Sequence, residues 1–172
     1  NWAMNCAGNQ EMITPNLNRI ADSGIMFDNF YCASPVCSPA RLSLFTGKIP
    51  SQHGVVDWIA EGHCDKEELD DDLKANFKLD TPAWEYLWPK DQLNDAKAIR
   101  FLEGHRTFTE ALAENGYTCG ISGKWHMGDA GKPQAGFTWW RTLAMGGDNY
   151  KYPVVLKDGS FGLLQDKYVT RY

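Results

Sequence analysis

The sequence contains no long apolar run. No stretch of its 172 residues approaches the ~18 consecutive apolar residues that a membrane-spanning helix needs. It also lacks an excess of basic residues, since 17 Lys and Arg stand against 22 Asp and Glu and give a net charge of −5. Nucleic-acid binding needs a basic face that neutralises phosphates. We therefore expect neither a membrane span nor a nucleic-acid partner.

The sequence also lacks the dense cysteine spacing of a disulfide scaffold. The five cysteines are Cys6, Cys32, Cys37, Cys64 and Cys119. An odd number leaves at least one thiol free, modified or buried, and burial as a small hydrophobe is expected for Cys6 and Cys119. The other three, with His53 and His63, leave open a non-catalytic Cys/His metal-binding module. Paired Cys-x-x-Cys spacing, which zinc sites favour, is absent.

The first third of the chain predicts two helices separated by a proline-containing loop. Thr14 and Pro15 are typical of a helix start, and Gly24 of a left-handed helix end. Residues 25–31 then alternate enough to predict a strand. After the loop, a second helix is expected over residues 40–46, closed by Gly47. Cys37 would lie just before its N-terminus, where free N–H groups favour an anion.

The composition changes over residues 57–104, which hold an acidic stretch and then tryptophans broken by prolines. We interpret this segment as an insertion with irregular structure, and a substrate-facing loop is the alternative. Regular structure resumes with a capping box at Thr107 and Glu110, which predicts a helix. A strand over residues 117–122 should follow. Asp158-Gly159, between two apolar runs, predicts a hairpin.

A helix followed by a strand and a polar loop indicates an α/β unit, in which ligands bind beyond the carboxyl ends of the strands. The loop after the predicted strand contains Lys124 and His126, flanked by glycines. Together with Cys37 and Arg41, these residues offer a sulfur group, two cations and an imidazole. Such a set suits an oxyanion such as sulfate or phosphate. His53 is either a supporting group of this site or a loop residue.

Two motifs occur in order and together resemble the signatures of the sulfatase family. Cys37-Ser38-Pro39-Ala40-Arg41 is similar to the signature Cys-x-Pro-Ser/Ala-Arg. Gly116-Tyr117-Thr118-Cys119-Gly120-Ile121-Ser122-Gly123-Lys124-Trp125-His126 is similar to the second signature, with Cys119 where Thr or Ser is usual. The resemblance implies an α/β fold of the alkaline-phosphatase-like type, with a mixed, mostly parallel sheet flanked by helices. Residues 1–172 would be an N-terminal part of the catalytic domain, with an insertion at 57–104.

The resemblance also implies a mechanism. Cys37 would be converted by a formylglycine-maturing enzyme to formylglycine, whose hydrated aldehyde attacks the sulfate ester. Arg41 would hold this group, while Lys124 and His126 would bind the sulfate oxygens and assist the leaving group. The modified Cys37 would also be a ligand of one calcium ion. The remaining calcium ligands are expected outside this chain, so the isolated chain should be inactive.

The expected substrate is a small-molecule or saccharide sulfate ester. The same oxyanion chemistry leaves open a phosphonate or phosphate monoester hydrolase of the same superfamily. The family resemblance favours an extracytoplasmic location: periplasmic, secreted or lysosomal.

Overall fold

The structure, a computed structural model, describes residues 3–60, 62–76, 97–144, 146–148, 150–151, 153–164 and 168–171. It divides into two units, Asn1–Tyr31 and Cys32–Tyr172. The described α-helices are α1 (Pro15–Ser23), α2 (Cys37–Thr46), α3 (Pro50–His53), α4 (Asp71–Asn76) and α5 (Phe108–Glu114). The described strands are β1 (Cys119–Gly123), β2 (Phe137–Thr142), β3 (Val154–Lys157) and β4 (Ser160–Leu163). No helix in these ranges is long and apolar enough to cross a membrane.

The first unit is built around α1, which begins at Pro15 as predicted. The prediction for Gly24 is wrong, because this residue is extended, with φ −125°. A left-handed residue at a helix end lets backbone N–H groups bond to the last carbonyls of the helix, which would otherwise lack partners. Here the Ser23 hydroxyl already donates to the Arg19 carbonyl at 2.8 Å, and the Gly24 N–H donates to Ala21.

The strand predicted over residues 25–31 is also wrong. Ile25, Phe27 and Tyr31 are 81%, 71% and 81% exposed, and these residues pair with no strand in the described part of the chain. Alternating side chains favour a strand only where a neighbouring strand supplies the ladder of hydrogen bonds.

In the second unit, α2 begins three residues earlier than predicted, so Cys37 is its first residue rather than the residue before it. Val36 is the N-cap, and its carbonyl accepts the first helical bond from the Ala40 N–H at 3.0 Å. Pro39 is compatible with this start because the N–H groups of the first turn have no helical partner. The predicted end is confirmed, since Gly47 is left-handed with φ 68°.

The predicted order of α5 and β1 is confirmed, although β1 spans Cys119–Gly123 rather than 117–122. Strands β1 and β2 pair in parallel, and the segment between them carries Lys124 and His126. The second pair, β3 and β4, is the predicted antiparallel hairpin. Its turn has positive φ at both Asp158 and Gly159, as a type I′ turn requires. The described strands thus form one parallel pair and one antiparallel pair.

Trp125 lies at the centre of the hydrophobic core and is fully buried. Its ring contacts Trp140 at 4.7 Å and Phe45 at 5.5 Å between centroids, both nearly edge-on. Aromatic pairs favour such geometry, so this cluster fixes the position of Trp125. Because Trp125 is covalently joined to Lys124 and His126, its burial also holds the backbone of both.

The segment interpreted as an insertion is described at residues 57–60, 62–76 and 97–104. Its aromatic residues 84–88, considered as a substrate-facing loop, lie outside the described residues. The described parts pack into the core through the buried side chains of Ile59, Cys64, Leu69, Leu73 and Leu102. They are therefore structural parts of the second unit, whatever their origin.

The capping box at the start of α5 gives a test of local stability. The Thr107 hydroxyl accepts from the Glu110 N–H, and the Glu110 carboxylate accepts from the Thr107 N–H. We expect Thr107→Ala to lower the free energy of unfolding by about 1 kcal/mol, the typical value of an N-cap. Urea denaturation measures this change. Thr118→Ala, at an exposed threonine, is the matched control, and an equal loss in both variants would contradict the role of the cap.

Candidate active site

A single hydrogen bond joins the two sequence motifs. Arg41 Nη1 donates to the backbone carbonyl of Lys124 at 2.7 Å, across 83 residues of sequence. Arg41 lies on the first turns of α2, four residues after Cys37, and this spacing places both side chains on one face of the helix. The structure therefore brings α2 together with the loop after β1, as the sequence predicted.

The Ile59 peptide group makes a second connection between the same two elements. Its N–H donates to the Ser38 hydroxyl at 3.2 Å, and its carbonyl accepts from His126 Nε2 at 3.0 Å. Ser38, Ile59 and His126 are all buried. Sequence reasoning missed this residue because its contribution is made by backbone atoms.

The bond to Ile59 fixes the tautomer of His126. A carbonyl oxygen only accepts, so the proton of the neutral imidazole lies on Nε2 and the lone pair on Nδ1. Nδ1 is buried and has no hydrogen-bond partner in the part of the chain that the structure describes. His126 also has a positive φ of 56°, a backbone conformation that non-glycine residues rarely adopt. Such a conformation persists only where the surroundings enforce it, and it is common at functional sites.

His63 is a second buried imidazole next to His126, and it was considered from sequence only as a metal ligand. The two rings lie 5.3 Å apart between centroids. His63 Nε2 donates to the same Ile59 carbonyl at 3.2 Å, and its Nδ1 is likewise without a partner among the described residues. No spacing rule connects residues 63 and 126, so only the fold reveals this pair.

Several positive groups face one another in this cluster. Burial lowers the pKa of Arg41, while nearby Cys37 raises it. The pKa of His126 is lowered to about 4, chiefly by burial and also by the charges of Lys124, His63 and Arg41, although the hydrogen bond to the Ile59 carbonyl raises it. Burial also lowers the pKa of His63, with a contribution from Lys124. Both imidazoles are therefore neutral at pH 7.

Neither Arg41 nor Lys124 forms an ion pair with a carboxylate among the described residues. Both are half-buried. Partly buried cations without a neutralising partner favour the binding of an anion, and the guanidinium fork is suited to an oxyanion.

Two glycines lie against the cluster. A β-carbon on Gly146 would lie 1.9 Å from Cδ2 and Nε2 of His126, so the backbone there packs directly on the imidazole. A β-carbon on Gly147 would lie 3.8 Å from Lys124 Nζ, an ordinary contact. The sequence contains the Gly-Gly pair, but nothing in its spacing assigns it to this site.

His53 belongs to a different part of the second unit. Its Nδ1 accepts from the Val55 N–H at 3.3 Å, and its Nε2 bonds to the Ser43 hydroxyl at 2.9 Å. These bonds join α2 to the end of α3. His53 thus supports the helix that carries Cys37 and Arg41.

The cysteines are all free in the structure, and they differ in accessibility. Cys32 is exposed, Cys37 is half-buried and Cys64 is buried. Burial and neighbouring carboxylates raise the pKa of Cys64 to about 12, so its thiol is unreactive at neutral pH. No group of three or more His, Cys, Asp or Glu in the described ranges could hold a metal ion. The Cys/His metal-binding module finds no support among these residues.

The described residues also do not fit a calcium ion by themselves. Calcium takes six to eight oxygen ligands. The side chains assembled here are a thiol, two cations and two imidazoles. The calcium expected from sequence therefore stays a prediction that the described residues do not support on their own.

A cavity of about 270 Å³ lies elsewhere, between the turn at residues 100–105, the start of α5 and Gln134-Ala135. None of the four predicted site residues lines it. Two of its polar side chains already have structural partners, since Glu110 caps α5 and Arg100 pairs with Asp129 at 2.9 Å.

Comparison with known proteins gives consistent matches. A family model described as Sulfatase matches residues 1–160. N-acetylgalactosamine-6-sulfatase of Mus musculus is 32% identical over 115 residues, which is 67% of this chain and 17% of that protein. N-acetylglucosamine-6-O-sulfatase of Bacteroides thetaiotaomicron is 28% identical over 142 residues, or 83% of this chain and 18% of that protein.

A solved structure of a protein in complex with its substrate D-glucosamine-2-N,6-O-disulfate is also similar, with a TM-score of 0.56 and 27% identity. The match covers 98% of this chain and 26% of that protein. The chain thus spans about a sixth of the length of the curated relatives. The fold predicted from sequence, alkaline-phosphatase-like in part, is confirmed by these neighbours.

The close approach of Gly146 to His126 predicts a large effect of one methyl group. We expect Gly146→Ala to lower the free energy of unfolding by about 1–3 kcal/mol, as overpacking does, or to displace the imidazole. Urea denaturation and the NMR signals of the His126 ring measure the two effects. Gly147→Ala is the matched control and should change neither. An unperturbed Gly146→Ala variant would contradict the packing.

The lowered pKa of His126 predicts a specific acid sensitivity. The unfolded chain binds a proton to this imidazole near pH 6.5, whereas the folded chain binds it only near pH 4. The contribution of His126 to stability is therefore fully present above pH 6.5 and is lost as the pH falls towards 4. We expect the free energy of unfolding of His126→Gln to depend less steeply on pH than that of the parent across this window. If the free energy of unfolding of parent and variant depended on pH in the same way, the lowered pKa of His126 would be refuted.

Proposed function

The chain belongs to the sulfatase family, and from that premise we propose that it serves in the hydrolysis of a sulfate ester. Its part is to supply the nucleophile and one side of the oxyanion site. The observation that carries this proposal is the bond from Arg41 to the Lys124 carbonyl, which joins the two motifs into one cationic cluster.

Residue 37 is the proposed nucleophile, after conversion of its thiol to formylglycine. It stands at the start of α2, half-buried and in no disulfide, one helical turn before Arg41. The hydrated aldehyde supplies an oxygen nucleophile with a second hydroxyl that later releases the sulfate, which a serine lacks. Arg41 orients this group and neutralises the charge that develops on it.

Lys124 is proposed to bind the sulfate group, and His126 is proposed to accept a proton or a hydrogen bond beside it. The Lys124 ammonium provides a mobile positive charge for the sulfate oxygens. Ile59 holds the His126 Nε2 proton, so Nδ1 is the atom that accepts a proton or a hydrogen bond during the reaction. The neutral state of the imidazole at pH 7 leaves this atom available.

The burial of residues 38 and 39 indicates whether residue 37 is modified before or after the chain folds. Ser38 and Pro39 are almost fully buried, and Arg41 is half-buried. An enzyme that recognises residues 37–41 as a peptide cannot reach these side chains in the folded unit. We therefore infer that the maturing enzyme acts on the chain before it folds.

The substrate class that we propose is a sulfated saccharide. It rests on the relatives named for 6-sulfated amino sugars and on the similar structure that contains a glucosamine disulfate. The cationic cluster recognises the sulfate and is indifferent to the alcohol, so selectivity must come from the residues around it.

The first test addresses residue 37 directly. Mass spectrometry of the peptide that contains it, from the natural source, should show a mass decrease for the replacement of the thiol by an aldehyde. The same peptide should react with a hydroxylamine probe. An intact Cys37 thiol in naturally matured protein would contradict the proposed nucleophile.

The second test uses the longest natural chain that carries these residues. Lys124→Ala should reduce kcat/KM for a sulfated amino sugar by about 10²-fold or more, the typical cost of one group that stabilises transition-state charge. Lys157→Ala, at an exposed lysine in β3, is the matched control and should retain activity. Faster hydrolysis of the matching phosphate ester would favour a phosphatase and overturn the proposal.

A further inference from the structure

Trp58 is an exposed aromatic side chain at the border of the cationic cluster. Its ring lies 5.6 Å from the His126 ring between centroids, at an interplanar angle of 77°. His126 is 1% exposed, whereas Trp58 is 56% exposed. The indole therefore extends from the buried imidazole into solvent.

The position of Trp58 is held from both sides. The preceding residue, Asp57, accepts the Trp58 N–H through its own carboxylate at 2.7 Å. The following residue, Ile59, is buried and bonded through its peptide group to Ser38 and His126. The backbone that carries the indole is thus tied to the helix of residue 37 and to the loop of Lys124. An exposed tryptophan with an anchored backbone loses little freedom on binding a ligand.

We propose that Trp58 is the platform on which the pyranose ring of a sulfated sugar stacks, while its sulfate enters the cluster of Arg41, Lys124 and His126. This inference rests on the proposed function of that cluster. A pyranose has an apolar C–H face and a rim of hydroxyl groups. The indole offers a flat apolar surface to the C–H face, and the exposed Asp57 carboxylate offers a hydrogen-bond acceptor to the hydroxyl groups.

The surroundings favour a sugar over a larger apolar alcohol. An aryl or sterol sulfate is best bound in an enclosed apolar cleft, since most of its binding free energy comes from burial. More than half of Trp58 is open to solvent, and its ring packs edge-on against the polar imidazole of His126. A partly hydrated ligand suits this position.

The experiment measures binding by titration calorimetry in the longest natural chain that carries these residues. Cys37→Ala is included throughout, so that no ligand is hydrolysed. The ligands are D-glucosamine-6-sulfate, inorganic sulfate and 4-nitrophenyl sulfate. The variants are Trp58→Ala and, as a matched control, Trp139→Ala. Trp139 is also about half exposed, and it contacts Arg141 rather than His126.

We expect Trp58→Ala to weaken binding of the sugar sulfate about three- to tenfold, in line with the value of one aromatic contact. Inorganic sulfate should bind to parent and variant alike, and Trp139→Ala should change neither affinity. An unchanged affinity of Trp58→Ala for the sugar overturns the platform and leaves the proposed function intact. A larger loss for 4-nitrophenyl sulfate than for the sugar assigns the ring to aryl esters and overturns the pyranose. Failure of both sulfate and sugar sulfate to bind the parent overturns the cluster itself, and this inference with it.

Discussion

One peptide group, that of Ile59, determines the arrangement of the site. Its N–H is bonded to Ser38 on α2, and its carbonyl accepts from both His126 and His63. A buried carbonyl has two lone pairs, and here both are used by imidazoles. This sharing fixes the tautomer of each ring and directs each Nδ1 away from Ile59. The geometry of the candidate site therefore depends on a short stretch of backbone as much as on the side chains of the two motifs.

The electrostatics of the site follow from this arrangement. Two cations, Arg41 and Lys124, are half-buried beside the imidazoles, and the described residues supply no carboxylate to pair with them. Burial and these charges keep the imidazoles neutral by lowering the pKa of His126 and of His63. The protein thus concentrates positive charge locally, although its net charge is −5. An anion that enters gains the attraction of fixed cations in a region where water screens them less than at the surface.

The elements of the site that carry a local sequence signal were predictable. The capping box at Thr107, the helix end at Gly47 and the hairpin at Asp158 each depend on residues close in sequence, and the structure confirms them. The two motifs were recognised in the same way, and the structure joins them through the bond from Arg41 to the Lys124 carbonyl. The roles of Cys37, Arg41, Lys124 and His126 stay predictions.

What sequence reasoning missed depends on contacts between distant segments. The contribution of Ile59 is made by backbone atoms that every residue possesses, and Gly146 matters only because it packs on His126. His63 has no fixed spacing from its partner ring. The strand wrongly expected at residues 25–31 shows that a local pattern is not sufficient, because alternating side chains do not form a strand without a partner strand. Patterns of neighbouring residues predict single helices and turns, whereas the candidate site depends on contacts between residues that are distant in sequence.

The Ile59 connection has a consequence for how this segment tolerates change during evolution. Because the bonds use backbone atoms, another apolar residue at position 59 would keep them as long as its side chain fills the same part of the core. A deletion or insertion of one residue between α3 and Ile59 would instead move the carbonyl away from both rings. Chain length between His53 and Ile59, rather than residue identity, is therefore the property that selection should preserve here.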